Sequence, residues 1–81
     1  MPTILRKDGF RIVIYFDDHL PCHVHAISGD SETKINLGDR AHPPTIVEHR
    51  GKRSSALKAL QLVVEHQNEL ITAWEEIHGS L

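Results

Sequence analysis

At 81 residues the chain has room for one small domain and no more. Its 40% hydrophobic and 25% charged content is that of an ordinary globular protein and excludes a disordered chain. A formal charge of −2 with no long run of Lys or Arg excludes a broad electrostatic nucleic-acid surface, though not a local one.

The single cysteine, Cys22, allows no intrachain disulfide. Met1-Pro2-Thr3 leads straight into folded-looking sequence with no secretory signal pattern, and no apolar run is long enough for a membrane span. A cytoplasmic protein with no membrane partner is expected. Seven histidines are the unusual feature. Full protonation would move the charge from −2 to −2 + 7 = +5, so affinity for anions could depend on pH. His66 and His78 are expected to be solvated.

Thr3-Ile4-Leu5 predicts a short edge strand, and Lys7-Asp8-Gly9 a hairpin turn. From Phe10 to Phe16 the chain alternates, with Phe10, Ile12, Ile14 and Phe16 on one face and Arg11, Val13 and Tyr15 on the other, which is the period of a strand. Asp17 to Cys22 is a connection, because Pro21 cannot donate to a central ladder. His23 to Ser28 predicts a second strand, Gly29-Asp30 a turn, and Glu32 to Leu37 a third strand. His42-Pro43-Pro44 cannot be helical, and Thr45 to His49 predicts a fourth strand. After Gly51 the period changes. Leu57, Leu60, Val63, Val64, Leu70, Ile71, Trp74 and Ile77 form one stripe of an amphipathic helix. Ser54 or Ser55 would cap its start and Gly79 would stop it. That is one helix over roughly 54–78, about 24 residues and about 36 Å long.

The expected fold is therefore a single α+β domain over 1–81: a small three- to four-stranded antiparallel sheet, with strands roughly over 3–49, and one long C-terminal helix packed on one face. The apolar face of the sheet would be Phe10, Ile12, Ile14, Phe16, Val24, Ala26, Thr33, Ile35 and Leu37. One helix leaves part of such a sheet uncovered, which suggests a homodimer.

Side-chain parity places the histidines. If Val24 and Ala26 face the core, His23 and His25 face away. A two-residue loop at Gly29-Asp30 sets Val24 opposite Ile35, His25 opposite Lys34 and His23 opposite Asn36. The outer face then displays Arg11, Tyr15, His23, His25, Lys34 and Asn36, residue types that bind anions and move protons.

The stretch from His19 to His25, His-Leu-Pro-Cys-His-Val-His, supports three readings. In the first, His23 and His25 share a metal ion, with His19 or Cys22 from the turn as a third ligand and Asp18 as an outer acceptor. Mixed nitrogen and sulfur donors suit zinc. In the second, His23 and His25 act as general base and acid while Lys34 or Arg11 stabilises phosphate charge, giving a ribonuclease-like enzyme, metal-independent or zinc-dependent. In the third, the face is a binding surface for a protein partner or RNA, with Arg11, Tyr15 and Asn36 contributing.

Lesser candidates are Cys22 as a nucleophile, although neighbours on a strand point apart. His42 and His49 could join the cluster, and the Arg50-Gly51-Lys52-Arg53 run could meet phosphate at the helix entry. Each is more simply read as an inert thiol, solvated imidazoles and a solvated helix start. Trp74 is expected in the core and Gln67 at the edge of the helix stripe.

Met1 to Ile4, Asp18-His19, Pro21, His23, His25, Gly29, Leu70 and Trp74 together resemble the bacterial family called domain of unknown function 4160, over nearly the whole chain. Cys22 stands where that family usually has a second proline, and His42-Pro43-Pro44 has no counterpart in the pattern. The resemblance implies a small accessory protein of toxin–antitoxin type, working with a small protein encoded nearby.

Overall fold

A computed structural model describes residues 3–39 and 41–79; Met1 and Pro2, part of the motif above, lie outside them. Five strands run in chain order: β1 (Thr3–Lys7), β2 (Phe10–Val13), β3 (His23–Ser28), β4 (Ser31–Asn36) and β5 (Thr45–Arg50). They form one antiparallel meander in which each strand pairs with its neighbours in sequence. The sheet thus has more strands than expected, because both outlying apolar segments pair at its edges.

Local chemistry sets the turns. Asp8 and Gly9 both adopt positive φ (54° and 82°), the conformation that a tight two-residue hairpin requires. The Gly29-Asp30 turn closes Ser28 on Ser31, and the register it sets has Val24 opposite Ile35, His25 opposite Lys34 and His23 opposite Asn36. Parity along β3 and β4 is therefore as the sequence predicts. In β2 the ladder stops at Val13. Ile14 is still buried, but the chain then leaves the sheet, and Phe16, expected in the core, is 71% exposed. The Asp18 side chain explains the departure, since its Oδ2 accepts the Tyr15 amide (2.9 Å) and fixes a local turn.

The C-terminal helix is two helices, α1 (Arg53–Glu65) and α2 (Gln67–His78), meeting at His66. The break is at His66, whose φ of −116° and ψ of 20° leave the helical range, and the next residue, Gln67, anchors the junction. Its amide nitrogen donates into a cage of three carbonyls, those of Leu37 (2.7 Å), Asp39 (3.0 Å) and His42 (3.1 Å). This ties the helix junction to the loop after β4. The buried stripe is Ala56, Ala59, Leu62, Val63, Leu70 and Trp74, whereas Leu57 and Val64, expected on it, are about half exposed. Small Ala56 and Ala59 let α1 lie close to β4 and β5 and turn the larger residues to its shoulders.

No serine side chain caps α1. Its first amides, those of Ser55 and Ala56, bond the Lys52 carbonyl, which also accepts from His49 Nε2 (2.8 Å). His49 Nδ1 in turn accepts the buried Thr33 hydroxyl (2.9 Å). His49 thus joins β4 to the start of α1 rather than the histidine cluster. Gly79 (φ 85°) ends α2, as expected.

The core cluster is built from Phe10, Ile12, Ile14, Val24, Ala26, Ile35 and Leu37 of the sheet region and Ala59, Leu62, Val63, Leu70 and Trp74 of the helices. No helix among the described residues is long and apolar enough to cross a membrane.

Candidate functional site

The connection between β2 and β3 folds back over the start of β3. The Tyr15 ring packs edge-on to His25 at 4.7 Å, and the bond between Leu20 and Pro21 is cis. Asp18 Oδ1 reaches His23 Nε2 at 3.3 Å and His25 Nε2 at 3.5 Å. The three side chains are 12%, 6% and 14% exposed, so the cluster is largely shielded from water. One ligand-type atom from each lies within 4.8 Å of the others.

Hydrogen bonding fixes how these groups face one another. His23 Nδ1 lies 2.9 Å from the Pro21 carbonyl, which only accepts, so Nδ1 carries a proton and donates. In the neutral ring Nε2 is then a bare lone pair aimed at the Asp18 carboxylate. Two acceptors in that position attract only through a proton or a cation between them. His25 is placed similarly, with Nε2 toward Asp18 and Nδ1 toward Glu32 Oε2 at 3.4 Å. Both of its nitrogens are buried without a hydrogen-bond partner.

Burial works to raise the Asp18 carboxyl's pKa. The Tyr15 amide and, when the rings are protonated, the charges of His23 and His25 and the His23 hydrogen bond outweigh it and hold the group below its ordinary value.

Two of the three spacings, those from Asp18, are those of a metal ion's ligands, and the third is within 4.8 Å. Bonds of about 2.0–2.2 Å in a tetrahedral arrangement separate ligand atoms by about 3.3–3.6 Å, which matches the spacings from Asp18 to the two imidazoles. Two of the three also have hydrogen-bonded outer support of the kind that orients metal-bound side chains, Pro21 behind His23 and the Tyr15 amide behind Asp18, while Glu32 lies near His25 Nδ1 without bonding it.

The sequence-predicted residues divide. His23, His25, Lys34 and Asn36 line one open hollow of about 370 Å³, and His19 stands at its edge. His19 is exposed and lies outside the Asp18–His23–His25 cluster, because the turn holds Asp18 inward and sends the next residue out. Cys22 is half-buried against the hydrophobic core. Burial raises its thiol pKa, its own backbone partly opposes this and the Glu75 charge adds to it, so it is no ready thiolate ligand. His23 is not on an open outer face: it is 5% exposed and its ring meets Trp74 of α2, centres 5.3 Å apart.

Val13, expected to face solvent, is fully buried opposite His25. Arg11 pairs with Ile27, farther along the sheet, and lines a separate hollow at the β1–β2 turn. His42 bonds Asp39 on the surface. His78, expected to be solvated, stacks on Trp74 at 4.2 Å and donates from Nε2 to the Tyr15 carbonyl at 3.2 Å. His66 is half-buried at the helix junction rather than solvated.

The family model described as domain of unknown function (DUF4160) matches residues 9–75. The chain belongs to that family. No curated protein and no solved structure matches it. In this DUF4160 chain the matched span includes every member of the cluster and both helices up to Glu75. Asp18 and Glu32 are the members that sequence reasoning undervalued. The available signal for Asp18 was its place five residues before His23, which a turn, but not an extended strand, can bring onto the imidazole.

Proposed function

We propose that the protein is a divalent-metal-binding module of the zinc class. Asp18 Oδ1, His23 Nε2 and His25 Nε2 are the ligands, and a fourth position opens to the adjoining hollow. The observation behind this reading is the pair of imidazole nitrogens, His23 Nε2 and His25 Nε2, converging on one carboxylate oxygen at 3.3 and 3.5 Å in a nearly dry pocket. Imidazole with carboxylate suits zinc and its transition-metal neighbours. Three protein ligands with one open position is the pattern of sites that act on a bound molecule, and a closed four-ligand set is that of structural sites. Zinc titration against a chromogenic chelator at neutral pH tests the reading. One equivalent should bind to the wild type and be lost in the His23→Ala, His25→Ala double variant. No uptake, or uptake indifferent to those changes, removes it.

A second reading, compatible with the first, is that the protein works in a toxin–antitoxin-type pair with a small protein partner. Its support is the apolar surface flanking the Asp17–His19 turn, where Phe16 is 71% and Leu20 56% exposed. Large apolar side chains left in water beside a site mark contact surfaces more often than scattered ones do. Co-purification with the product of a neighbouring gene, with and without Phe16→Ser, tests this. A complex that withstands the substitution argues against Phe16 as its anchor.

A further inference from the structure

Register sets four side chains in two rows across the hollow. His25 faces Lys34 and His23 faces Asn36. Such directly opposed residues have Cβ atoms about 4.5–5.5 Å apart. One row holds the imidazoles. The other presents an ammonium and an amide, both lining the same hollow. Among the described residues, no carboxylate lies within ion-pair distance of Lys34.

A divalent metal cancels the fixed negative charge around the hollow. Lys34 against Asp17 and Asp18, which line the hollow, and Glu48, its partner across β5, gives +1 − 3 = −2, and a divalent ion makes it −2 + 2 = 0. Glu32 stands behind His25 and is drawn toward Arg50 at 3.5 Å, so that pair adds little net charge. An anion is thus repelled from the empty hollow and no longer repelled from the loaded one, where the metal and Lys34 can meet it directly. The donors are three and unlike: an open metal position, the ammonium of Lys34 and the amide of Asn36. A carboxylate has two oxygens to offer them. A phosphate monoester has three free oxygens and more charge, and a diester holds its two free oxygens on a tetrahedral centre.

We propose that the metal-loaded hollow binds a phosphate group, with one oxygen on the metal and others on Lys34 Nζ and the Asn36 amide. This inference rests on the metal reading above. It narrows the ligand from anions in general to phosphate monoesters and diesters.

Cobalt(II) can stand in for zinc, because its visible absorption reports the ligands on the metal. The cobalt-loaded protein is titrated with phenyl phosphate, with a short single-stranded RNA as the diester source, and with benzoate as the carboxylate control. A shift of the cobalt band by either phosphate source is expected, with affinity at least about tenfold higher than for the metal-free protein. By reciprocity the same ligand tightens cobalt binding by the same factor. Lys34→Met should weaken phosphate binding by about tenfold while cobalt uptake persists, and Lys34→Arg should restore part of the loss. Equal binding to loaded and metal-free protein, benzoate binding as tightly as phosphate, or indifference to Lys34→Met each overturns the inference. The wild-type comparison alone decides if the variants fail to fold. Failure to take up metal overturns the proposed function and this inference together, whereas uptake with no phosphate response overturns the inference only.

Discussion

The indole of Trp74 lies against the imidazole of His23, ring centres 5.3 Å apart. On its other side Trp74 stacks on His78 at 4.2 Å. It is the only tryptophan in the chain, so its emission reports on one place, the back of the candidate metal site.

Zinc should therefore change Trp74 fluorescence and saturate at one equivalent. Asp18→Asn should abolish the response, because it removes the carboxylate charge shared by both imidazoles. Cys22→Ala should leave it intact, since the thiol packs toward the core. A response lost in Cys22→Ala and kept in Asp18→Asn would mean that the ligand set is wrong.

Asp18 should also shape the acid limb of stability in the metal-free protein. Its folded pKa lies below the ordinary aspartate value of about 3.9. Between those two pH values the unfolded chain holds more protons than the folded one, so stability rises with pH. The contribution is complete above the ordinary value and is lost as pH falls through the folded pKa. Urea midpoints measured from about pH 5 downward should fall more steeply for the wild type than for Asp18→Asn. Parallel curves would sink this assignment.

Much of this arrangement is legible in the residues, for identifiable reasons. The β3–β4 register follows from a two-residue turn and from alternation on both sides of it, two local constraints that agree. The failures occur where tertiary contacts override local pattern. Phe10 to Phe16 alternates throughout, yet Asp18 captures the Tyr15 amide and ends the strand early. The helical period runs unbroken past Gln67, yet three carbonyls from another part of the chain seize its amide. At the site, His-x-His parity was readable. That Asp18, and not His19 or Cys22, meets the two imidazoles depends on which way a non-repetitive turn points its side chains, and periodicity says nothing about that.

Gln67 offers a stability test. Replacing it by Ala leaves the Leu37 carbonyl, in a part-buried position, without its donor. The expected cost is about 1–3 kcal/mol, and in a domain of 60–100 residues each kcal/mol lowers the melting temperature by about 4–8 °C. Thermal unfolding followed by circular dichroism measures this. A melting temperature unchanged within error would show that the cage contributes nothing net.

Phe16→Ser should behave in the opposite way. At 71% exposure the ring has little burial to lose, so stability should stay within about 0.5 kcal/mol of wild type. The same change at Phe10, 5% exposed in the core, should cost several kcal/mol. Chemical denaturation of the two variants side by side checks the contrast. A large loss from Phe16→Ser would mean that the ring is covered in solution.

Every strand of the sheet pairs with its neighbour in sequence. Contacts that close such short loops form quickly. Asp18, His23, His25, Lys34 and Asn36 all lie on one continuous piece of chain, the turn before β3 and the β3–β4 hairpin. Folding of that turn and hairpin brings these five side chains together without help from the helices. Trp74 comes from the far end of the sequence and seals the back of the cluster only when α2 docks. In a metal-binding protein built this way, an ion captured by the young hairpin acts as a staple during synthesis. If the proposed metal binds, its supply would govern how fast new chains mature, as well as what the finished ones can bind.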